Sequence, residues 1–357
     1  MRGVKGGART LDRYGRPLRL FGGGLSVRVS VRPVVVCAVL AVCSAAVSVV
    51  ALSLGDYAIP FADVVAALAG EGNGGDRFVV NRLRLPRVVS ALLVGAALGA
   101  SGAVFQSFTR NPLASPDVIG FTTGAATGGI VAIIVLAGGS AAVAAGALVG
   151  GGVVSLLVYV ISFRRGVQGY RLVLIGIGMS SVLLSVNTYL LTRADFEVAA
   201  HAQRWLIGSL NGRSWSDVQT LAVVLAVLLP TAMLLGRALR LLELGDDTAH
   251  ALGLRVERSR VALLLVAVGM VAVSTSVAGP IAFVALAAPQ LAKRLSRAGS
   301  EGIAASALMG ALLLLVSDVV AQRVIAGVQF PVGILTGIVG GVYLVYLLMA
   351  EWWSGRG

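Results

Sequence analysis

Long stretches without a charged residue alternate with short charged segments along this chain. These stretches cover residues 33–55, 88–109, 118–163, 172–192, 218–236, 261–292, 302–317 and 324–350. A bilayer core about 30 Å thick requires about 20 apolar residues per helix. The stretches 118–163 and 261–292 therefore hold two helices each, divided near Gly138 and at Gly279. The pattern predicts about ten spanning helices, and it lacks the alternating segments of about ten residues that are typical of a membrane β-barrel.

Composition supports a membrane protein. The chain is 57% hydrophobic and only 13% charged, whereas roughly a quarter of the residues in a soluble domain are charged. The fold class expected is therefore all-α and polytopic. A basic N-terminal segment, 1–32, is expected to be disordered, followed by a transmembrane domain at 33–350 and a short tail at 351–357. The first apolar stretch is longer than the 7–15 residues, roughly, of a signal peptide, which favours a retained helix over a cleaved one.

Basic residues are distributed unevenly between the two sets of loops that ten alternating helices would produce. With the N-terminus in the cytoplasm, 21 of the 29 lysines and arginines fall on the inner side and eight on the outer side. Cytoplasmic loops carry the excess of Lys and Arg in membrane proteins. We therefore expect both termini in the cytoplasm, and the net charge of +13 requires no nucleic-acid partner.

Four arginines depart from this bias because they lie at the outer edge of the membrane. Arg82, Arg84 and Arg87 precede the second span, and Arg323 follows the ninth. Two interpretations remain open. The side chains could extend to lipid phosphates, or they could form a cationic docking surface for an acidic extracellular partner.

The inner segment 237–260 is longer than the other inner connections and carries both signs of charge. Its sequence predicts two short helices broken at Gly245 and Gly253, with Asp246 and Asp247 as cap residues of the second. Such helices suit docking into a groove of a cytoplasmic partner. A pair of membrane-surface helices without a partner is the alternative.

Small residues recur four apart in several spans. They form three pairs, Gly95/Gly99, Gly124/Gly128 and Gly146/Gly150, and one set of three, Gly333/Gly337/Gly341. Small residues let helix backbones approach closely in lipid, so these faces are expected to serve mainly helix packing.

Two acids lie in or beside the apolar stretches. Asp318 directly follows the short stretch 302–317, whose helix is expected to continue past it, so its charge is a functional candidate by default. Arg323 or Gln322 could instead make it part of a structural pair near the outer surface. Asp117 is expected to cap the third span.

The chain contains no sign of its own energy source. It has no GxxxxGK[ST] loop and no cluster of acids or histidines suited to hydrolysis. Cys37 and Cys43 lie in the first span, and His201 and His250 are isolated, so neither a disulfide framework nor a metal site is indicated. We expect no cofactor and no enzymatic activity.

Several motifs, in order, resemble the permease subunits of type II ABC importers, the group that takes up ferric siderophores, haem and vitamin B12. The motifs are RLPR at 84–87, GAVFQ at 102–106, NPLASPDVIG at 111–120, WLIGSLNGRSW at 205–215, LGDDTAHALGL at 244–254, AGPIAFVALAAPQ at 278–290, SDVVAQR at 317–323 and FPVGILTG at 330–337. The resemblance extends over residues 33–350, nearly the whole chain.

The resemblance implies a subunit of the cytoplasmic membrane that assembles with a second permease, two cytoplasmic ATPases and an external substrate-binding protein. The second permease would be another copy or a paralogue. Arg84, Arg87 and Arg323 match the family's outer arginines, which pair with acids of the binding protein. The residues matching the cytoplasmic coupling helices are Glu243, Gly245, Asp246, Asp247, Ala249, Leu252, Gly253 and Leu254. The residues expected in helix packing or the conduit are Gly95, Gly99, Gly102, Gln106, Asn111, Pro112, Gly333, Gly337 and Gly341.

Three positions depart from the family pattern. Gln290 stands where His is common, Gln329 where Glu is common, and Val342 where Pro is common in the last span. The two glutamines keep hydrogen bonding without a titratable charge, so no proton-dependent role is expected of them. Val342 leaves open whether the last span is kinked.

The cargo expected first is a ferric siderophore, with haem or cobalamin as the alternatives within the family. An ion-coupled secondary transporter is the competing class, because such proteins place ionisable groups and broken helices near the midplane. Uptake by the chain alone in liposomes would favour that class. A structural or signalling membrane protein without cargo is the third interpretation.

Overall fold

The computed structural model describes residues 16–20, 25–29, 31–55, 57–117, 120–163, 169–297, 302–324 and 329–354. Two short strands, β1 (Arg16–Leu20) and β2 (Leu25–Val29), precede an array of helices. The helices are α1 (Val31–Ser53), α2 (Phe61–Leu68), α3 (Gly74–Phe78), α4 (Leu85–Thr109), α5 (Phe121–Ile134), α6 (Ser140–Ser162), α7 (Gly169–Arg193), α8 (Phe196–Leu206), α9 (Trp215–Leu234), α10 (Gly236–Glu243), α11 (Asp246–Ala251), α12 (Val256–Ala278), α13 (Val284–Ser296), α14 (Ile303–Ala321) and α15 (Val332–Ser354).

Seven helices in the described part of the chain are long and apolar enough to cross a bilayer. They are α1, the continuous helix Gly74–Thr109 that ends in α4, and α6, α7, α9, α12 and α14. Two shorter apolar helices add to these, α5 and the Val332–Tyr346 part of α15. The polytopic helical fold is confirmed. Each of the ten predicted segments contains a helix, but about ten full spans and the cytoplasmic side of the termini remain predictions.

The two ends of the chain differ from expectation. β1 and β2 pair antiparallel, with Arg16 opposite Val29, although disorder was predicted for 1–32; the rest of that segment up to residue 30 lies outside the described residues. At the other end, α15 continues to Ser354 and so takes in the first residues of the predicted tail. It also runs through Val342 as one helix.

The centre of the fold is α4. In the helix Gly74–Thr109, 78% of the residues in an apolar 18-residue segment are buried, whereas the corresponding share in α1 is 11%. Glycines explain this enclosure, because a Cβ atom at Gly95 or Gly99 would overlap the backbone of α14, and one at Gly102 would overlap the carbonyl of Ala285 in α13. These three glycines therefore serve close packing, as close helix approach in lipid requires.

A second close contact joins α5 and α6. A Cβ atom at Gly128 would overlap the carbonyl of Gly146, and one at Gly124 would contact Gly150 and Val154. In α15, Gly333 packs against the carbonyl of Ile207, but Gly337 and Gly341 face open space. The regular spacing of glycines thus marks buried contacts at some positions and an unpartnered face of this chain at others.

The chain breaks between α12 and α13, as the Gly-Pro pair predicts. Gly279 and Phe283 both adopt positive φ, 73° and 68°. Positive φ is tolerated readily by glycine and rarely by a residue with a Cβ atom. The break lets α13 start deep in the fold, where its first turn packs on α4.

Candidate functional site

An open cavity at the predicted outer end is rich in arginine, and we call it the outer cavity. It measures about 560 Å³ and is bordered by the side chains of Arg82, Arg84, Arg87 and Arg213, together with Gln322 and Gln329. Arg82 is exposed. The sequence pattern identified the first three of these arginines as a group, and the structure brings them to one surface.

Arg84 fastens the end of α1 to the helix that contains α4. Its guanidinium donates to the carbonyl of Leu52 at 2.7 Å and to the carbonyl of Tyr57. Gly55 makes room for it, because a Cβ atom there would overlap the guanidinium. These two bonds fix the position of the Arg84 side chain.

Arg87 forms a two-pronged ion pair with Asp318 of α14. The Nε and Nη2 atoms donate to the two carboxylate oxygens at 2.8 and 2.9 Å, and Nη1 donates to Gln329 at 3.3 Å. Gln322 also donates to Asp318, at 2.9 Å. Only 2% of the Asp318 side chain and 12% of the Arg87 side chain are exposed. The pair therefore joins α4 to α14 beneath the outer cavity.

These contacts change the interpretation of two predicted residues. The sequence allows either Arg323 or Gln322 as a partner of Asp318. In the structure Asp318 bonds to Gln322 and to Arg87, whereas Arg323 is exposed. Sequence reasoning did not find the Arg87–Asp318 pair, because 231 residues separate the two positions.

Arg213 is an outer arginine that sequence reasoning did not single out. It borders the outer cavity and donates to the backbone carbonyls of Asn211, at 3.2 Å, and Val277. Its place in the motif WLIGSLNGRSW was the available signal. Its partners in the described part of the chain are neutral carbonyls, so Arg213 keeps its positive charge there.

At the predicted inner end, α10 and α11 are the two short helices expected in 237–260. They break at Gly245, with φ 108°, and α11 ends before Gly253, with φ 83°. Asp246 and Asp247 occupy the first turn of α11, while the cap position itself belongs to Gly245. The predicted breaks are therefore confirmed. The predicted cap residues, Asp246 and Asp247, are instead the first two residues of the helix itself.

The predicted coupling residues divide into exposed and buried groups. Leu252 is 59% exposed, and Asp247 is also exposed. Ala249 is buried, and Leu254 packs against the hydrophobic core. The short helices thus present polar and apolar atoms to the outside while one face anchors them to the bundle.

A group of charged side chains, which we call the inner charge cluster, lies between these helices and the bundle. It consists of Arg110, Asp246, Glu257 and Arg260. Asp246 Oδ1 accepts from Arg260 Nη2 at 2.5 Å and from Arg110 Nη2 at 3.2 Å. Arg110 also donates to the carbonyl of Leu242 at 2.8 Å.

The cluster extends to a third span. Glu257 lies 3.8 Å from Arg260 and accepts a hydrogen bond from the hydroxyl of Tyr159 in α6 at 3.0 Å. The Arg260 side chain is 9% exposed, and its guanidinium lies 5.8 Å from the ring centre of Phe108. Asp246 and Arg110 are each 48% exposed, so their own bond is the weaker one.

In the interior, Gln106 and Gln290 form a buried amide pair. Gln290 donates to Gln106 at 2.6 Å, and Gln106 donates to the carbonyl of Leu286 at 3.0 Å. The pair holds α4 against α13. Gln106, predicted for packing or the conduit, is 1% exposed and therefore contributes to packing in this conformation.

A cavity of about 420 Å³ is bordered by Asn111, Asp117, Phe283 and Leu344, and also by Leu286, whose carbonyl accepts from Gln106. The Asn111 side chain accepts from the backbone N–H of Leu113 at 2.9 Å, which shapes the turn after α4, and Pro112 is exposed. Asp117, in the connection between α4 and α5, accepts from the hydroxyl of Thr122 at 2.6 Å, while Gly120 holds the cap position of α5.

Two opposing effects act on the pKa of Asp117. Burial raises its pKa and is the larger effect. Hydrogen bonds from the Thr122 hydroxyl and the Phe283 backbone lower the pKa in part.

Comparison with known proteins gives consistent results. The model of the FecCD transport family matches residues 37–350. The ferric enterobactin transport system permease protein FepG of Escherichia coli (strain K12) is 46% identical over 325 residues, which cover 91% of this chain and 98% of that protein. The probable siderophore transport system permease protein YfhA of Bacillus subtilis (strain 168) is 35% identical over 313 residues, covering 85% and 91%. A solved inward-facing metal-chelate type ABC transporter superposes with a TM-score of 0.77 at 27% identity, over 88% of this chain and 99% of that one.

Proposed function

Because this chain belongs to the FecCD transport family, whose members are permease subunits of ABC importers, we propose that it carries a ferric siderophore across the cytoplasmic membrane. The observation that supports this cargo best is the similarity to a ferric enterobactin permease over nearly the full length of both chains. Its relatives have no ATPase site of their own, so energy comes from a separate subunit.

The proposed complex contains two permeases, two cytoplasmic ATPases and an external binding protein. The outward glycine face of α15, at Gly337 and Gly341, is open to close approach by another helix. The exposed Leu252 and Asp247 of α11 are available to an ATPase groove. Closure of the ATPase pair would press on α10 and α11 and rock the spans between outward-open and inward-open states.

On the outer side, the proposed binding-protein contact uses the positive charge of exposed arginines. Arg323 and Arg82 are exposed, and Arg84 borders the outer cavity together with Arg82. Arg87 contributes less, since Asp318 neutralises it. An acidic surface on the binding protein would be steered and oriented by this patch.

The test is uptake in proteoliposomes. The chain is purified with the ATPase and binding protein that it retains, and mass spectrometry identifies these subunits. Entry of ⁵⁵Fe-labelled ferric enterobactin is measured with and without internal ATP, beside haem and cobalamin. We expect iron entry that requires both ATP and the binding protein. Faster entry of haem or cobalamin would reassign the cargo, and entry through the chain alone, driven by an ion gradient, would contradict the proposal.

A further inference from the structure

The inner charge cluster connects the short helices α10 and α11 to three separate spans. Arg110 is at the end of α4, Arg260 is on α12, and Glu257 bonds to Tyr159 of α6. Both arginines bond to the same oxygen atom of Asp246. One carboxylate therefore holds α11 to two largely buried spans, α4 and α12.

The backbone on either side of α11 gives little other restraint. Gly245 and Gly253 both adopt positive φ, and a Cβ atom at either would meet nothing within 4 Å. Glycine absorbs large backbone rotations at such positions. Glycine therefore allows rotation at both ends of α11, and, besides the packing of the buried Ala249, the side-chain bonds of Asp246 link this helix to the spans.

Arg110 adopts an unusual conformation that makes this contact possible. It ends α4 with φ 52°, a left-handed position that is usually occupied by glycine at helix ends. An arginine there is strained, and strain of this kind is found where the side chain has a task. The same side chain reaches both the carbonyl of Leu242 in α10 and the carboxylate of Asp246 in α11.

We propose that Asp246 is the positioning residue that transmits motion between the inner helices and the spans, with Arg110 linking it to α4 and Arg260 linking it to α12. This inference rests on the proposed importer function, because it assumes that an ATPase moves α11. It assigns to Asp246 a task within the chain rather than direct contact with the ATPase.

The experiment compares Asp246→Asn with wild type in the complex reconstituted as above. Three quantities are measured: basal ATP hydrolysis, its stimulation by the binding protein, and cargo entry per ATP hydrolysed. Loosening the link between α11 and the spans lowers the coupling free energy between the ATPase side and the outer side of the complex. We therefore expect stimulation by the binding protein, relative to basal hydrolysis, and cargo entry per ATP both to fall about tenfold.

Arg258→Gln is the matched control. Arg258 is exposed on α12, two residues before Arg260, and it has no bond in the described part of the chain. The variant loses one inner charge without touching the cluster, so all three quantities should equal those of wild type. If the Asp246→Asn complex does not assemble, Arg110→Gln takes its place as the test variant. Arg110→Gln keeps the bond between Asp246 and Arg260 but loses the link to α4, so we expect the same reduction in stimulation and in cargo entry per ATP.

The double variant Asp246→Asn with Arg110→Gln distinguishes the loss of one shared link from two unrelated defects. Residues that act as one unit give effects that do not add, so the double variant should be no worse than the more severe single variant. The inference would be overturned if the fold-reduction in the double variant equalled the product of the two single reductions. It would also be overturned if the Asp246→Asn complex had the same stimulation and the same cargo entry per ATP as the Arg258→Gln control. Stimulation is measured with the cargo-free binding protein, so a wild-type complex that shows stimulation but fails to import the ferric siderophore contradicts the proposed function alone.

Discussion

The ion pair between Arg87 and Asp318 should respond unequally to the loss of its two members. The Asp318 carboxylate is nearly enclosed, whereas Arg87 borders the outer cavity, where water can reach it. Replacing Arg87 with Met leaves a buried charge whose remaining side-chain partner is Gln322. Breaking a buried pair in this way lowers the free energy of unfolding by about 3–5 kcal/mol.

Replacing Asp318 with Asn leaves a smaller defect. The Arg87 guanidinium keeps its bond to Gln329 and gains water from the cavity. We expect a loss of about 1–3 kcal/mol, the usual cost of an unmade hydrogen bond at a partly buried group. The double variant Arg87→Met with Asp318→Leu should lie within about 1 kcal/mol of wild type, since apolar residues often replace such a pair without loss.

The measurement is unfolding of the purified chain by SDS in mixed micelles, followed by tryptophan fluorescence and circular dichroism. Arg82→Met serves as the control, because this exposed neighbour should change stability by less than about 0.5 kcal/mol. Equal losses for Arg87→Met and Asp318→Asn would refute the reasoning. So would a double variant as unstable as Arg87→Met alone.

Three further predictions concern packing, the buried amides and docking. Gly95→Ala should destabilise the chain by about 1–3 kcal/mol, because the methyl group meets the backbone of α14, while Gly337→Ala should be neutral in the same SDS titration. Gln290→Leu should lower the free energy of unfolding by about 1–3 kcal/mol, since the Gln106 carbonyl loses its donor, and a stability equal to wild type would argue against this bond. Arg323→Glu should slow association with the binding protein in surface plasmon resonance, less so at high salt; an unchanged rate at low salt would remove this residue from the docking surface.

Local features were predictable from the sequence. Gly245, Gly253 and Gly279 mark backbone breaks because glycine tolerates conformations that other residues avoid. Gly95 and Gly99 mark a close helix contact because their spacing puts both on one face of α4. These positions depend on neighbours in sequence, which a linear pattern records.

Features that depend on tertiary structure were not predictable in the same way. Asp318 bonds to Arg87 across 231 residues, and Asp246 bonds to Arg110 across 136, so nothing in the local sequence identifies either partner. The number of spans was also uncertain, because uncharged stretches do not reveal where the backbone leaves the helix. The helices α5 and α13 have only 14 and 13 residues, since irregular segments occupy part of their stretches.

The enclosure of α4 has a consequence for how the protein is made. The surface that Gly95 and Gly99 present is covered by α14, which begins at Ile303, roughly 200 residues after α4 ends. Ribosomes add about 5–20 residues per second, so α4 waits about 10–40 s for its neighbour. During that interval we expect its glycine face to contact lipid or other parts of the nascent chain. We therefore expect synthesis speed over the middle of the gene to influence the yield of folded protein.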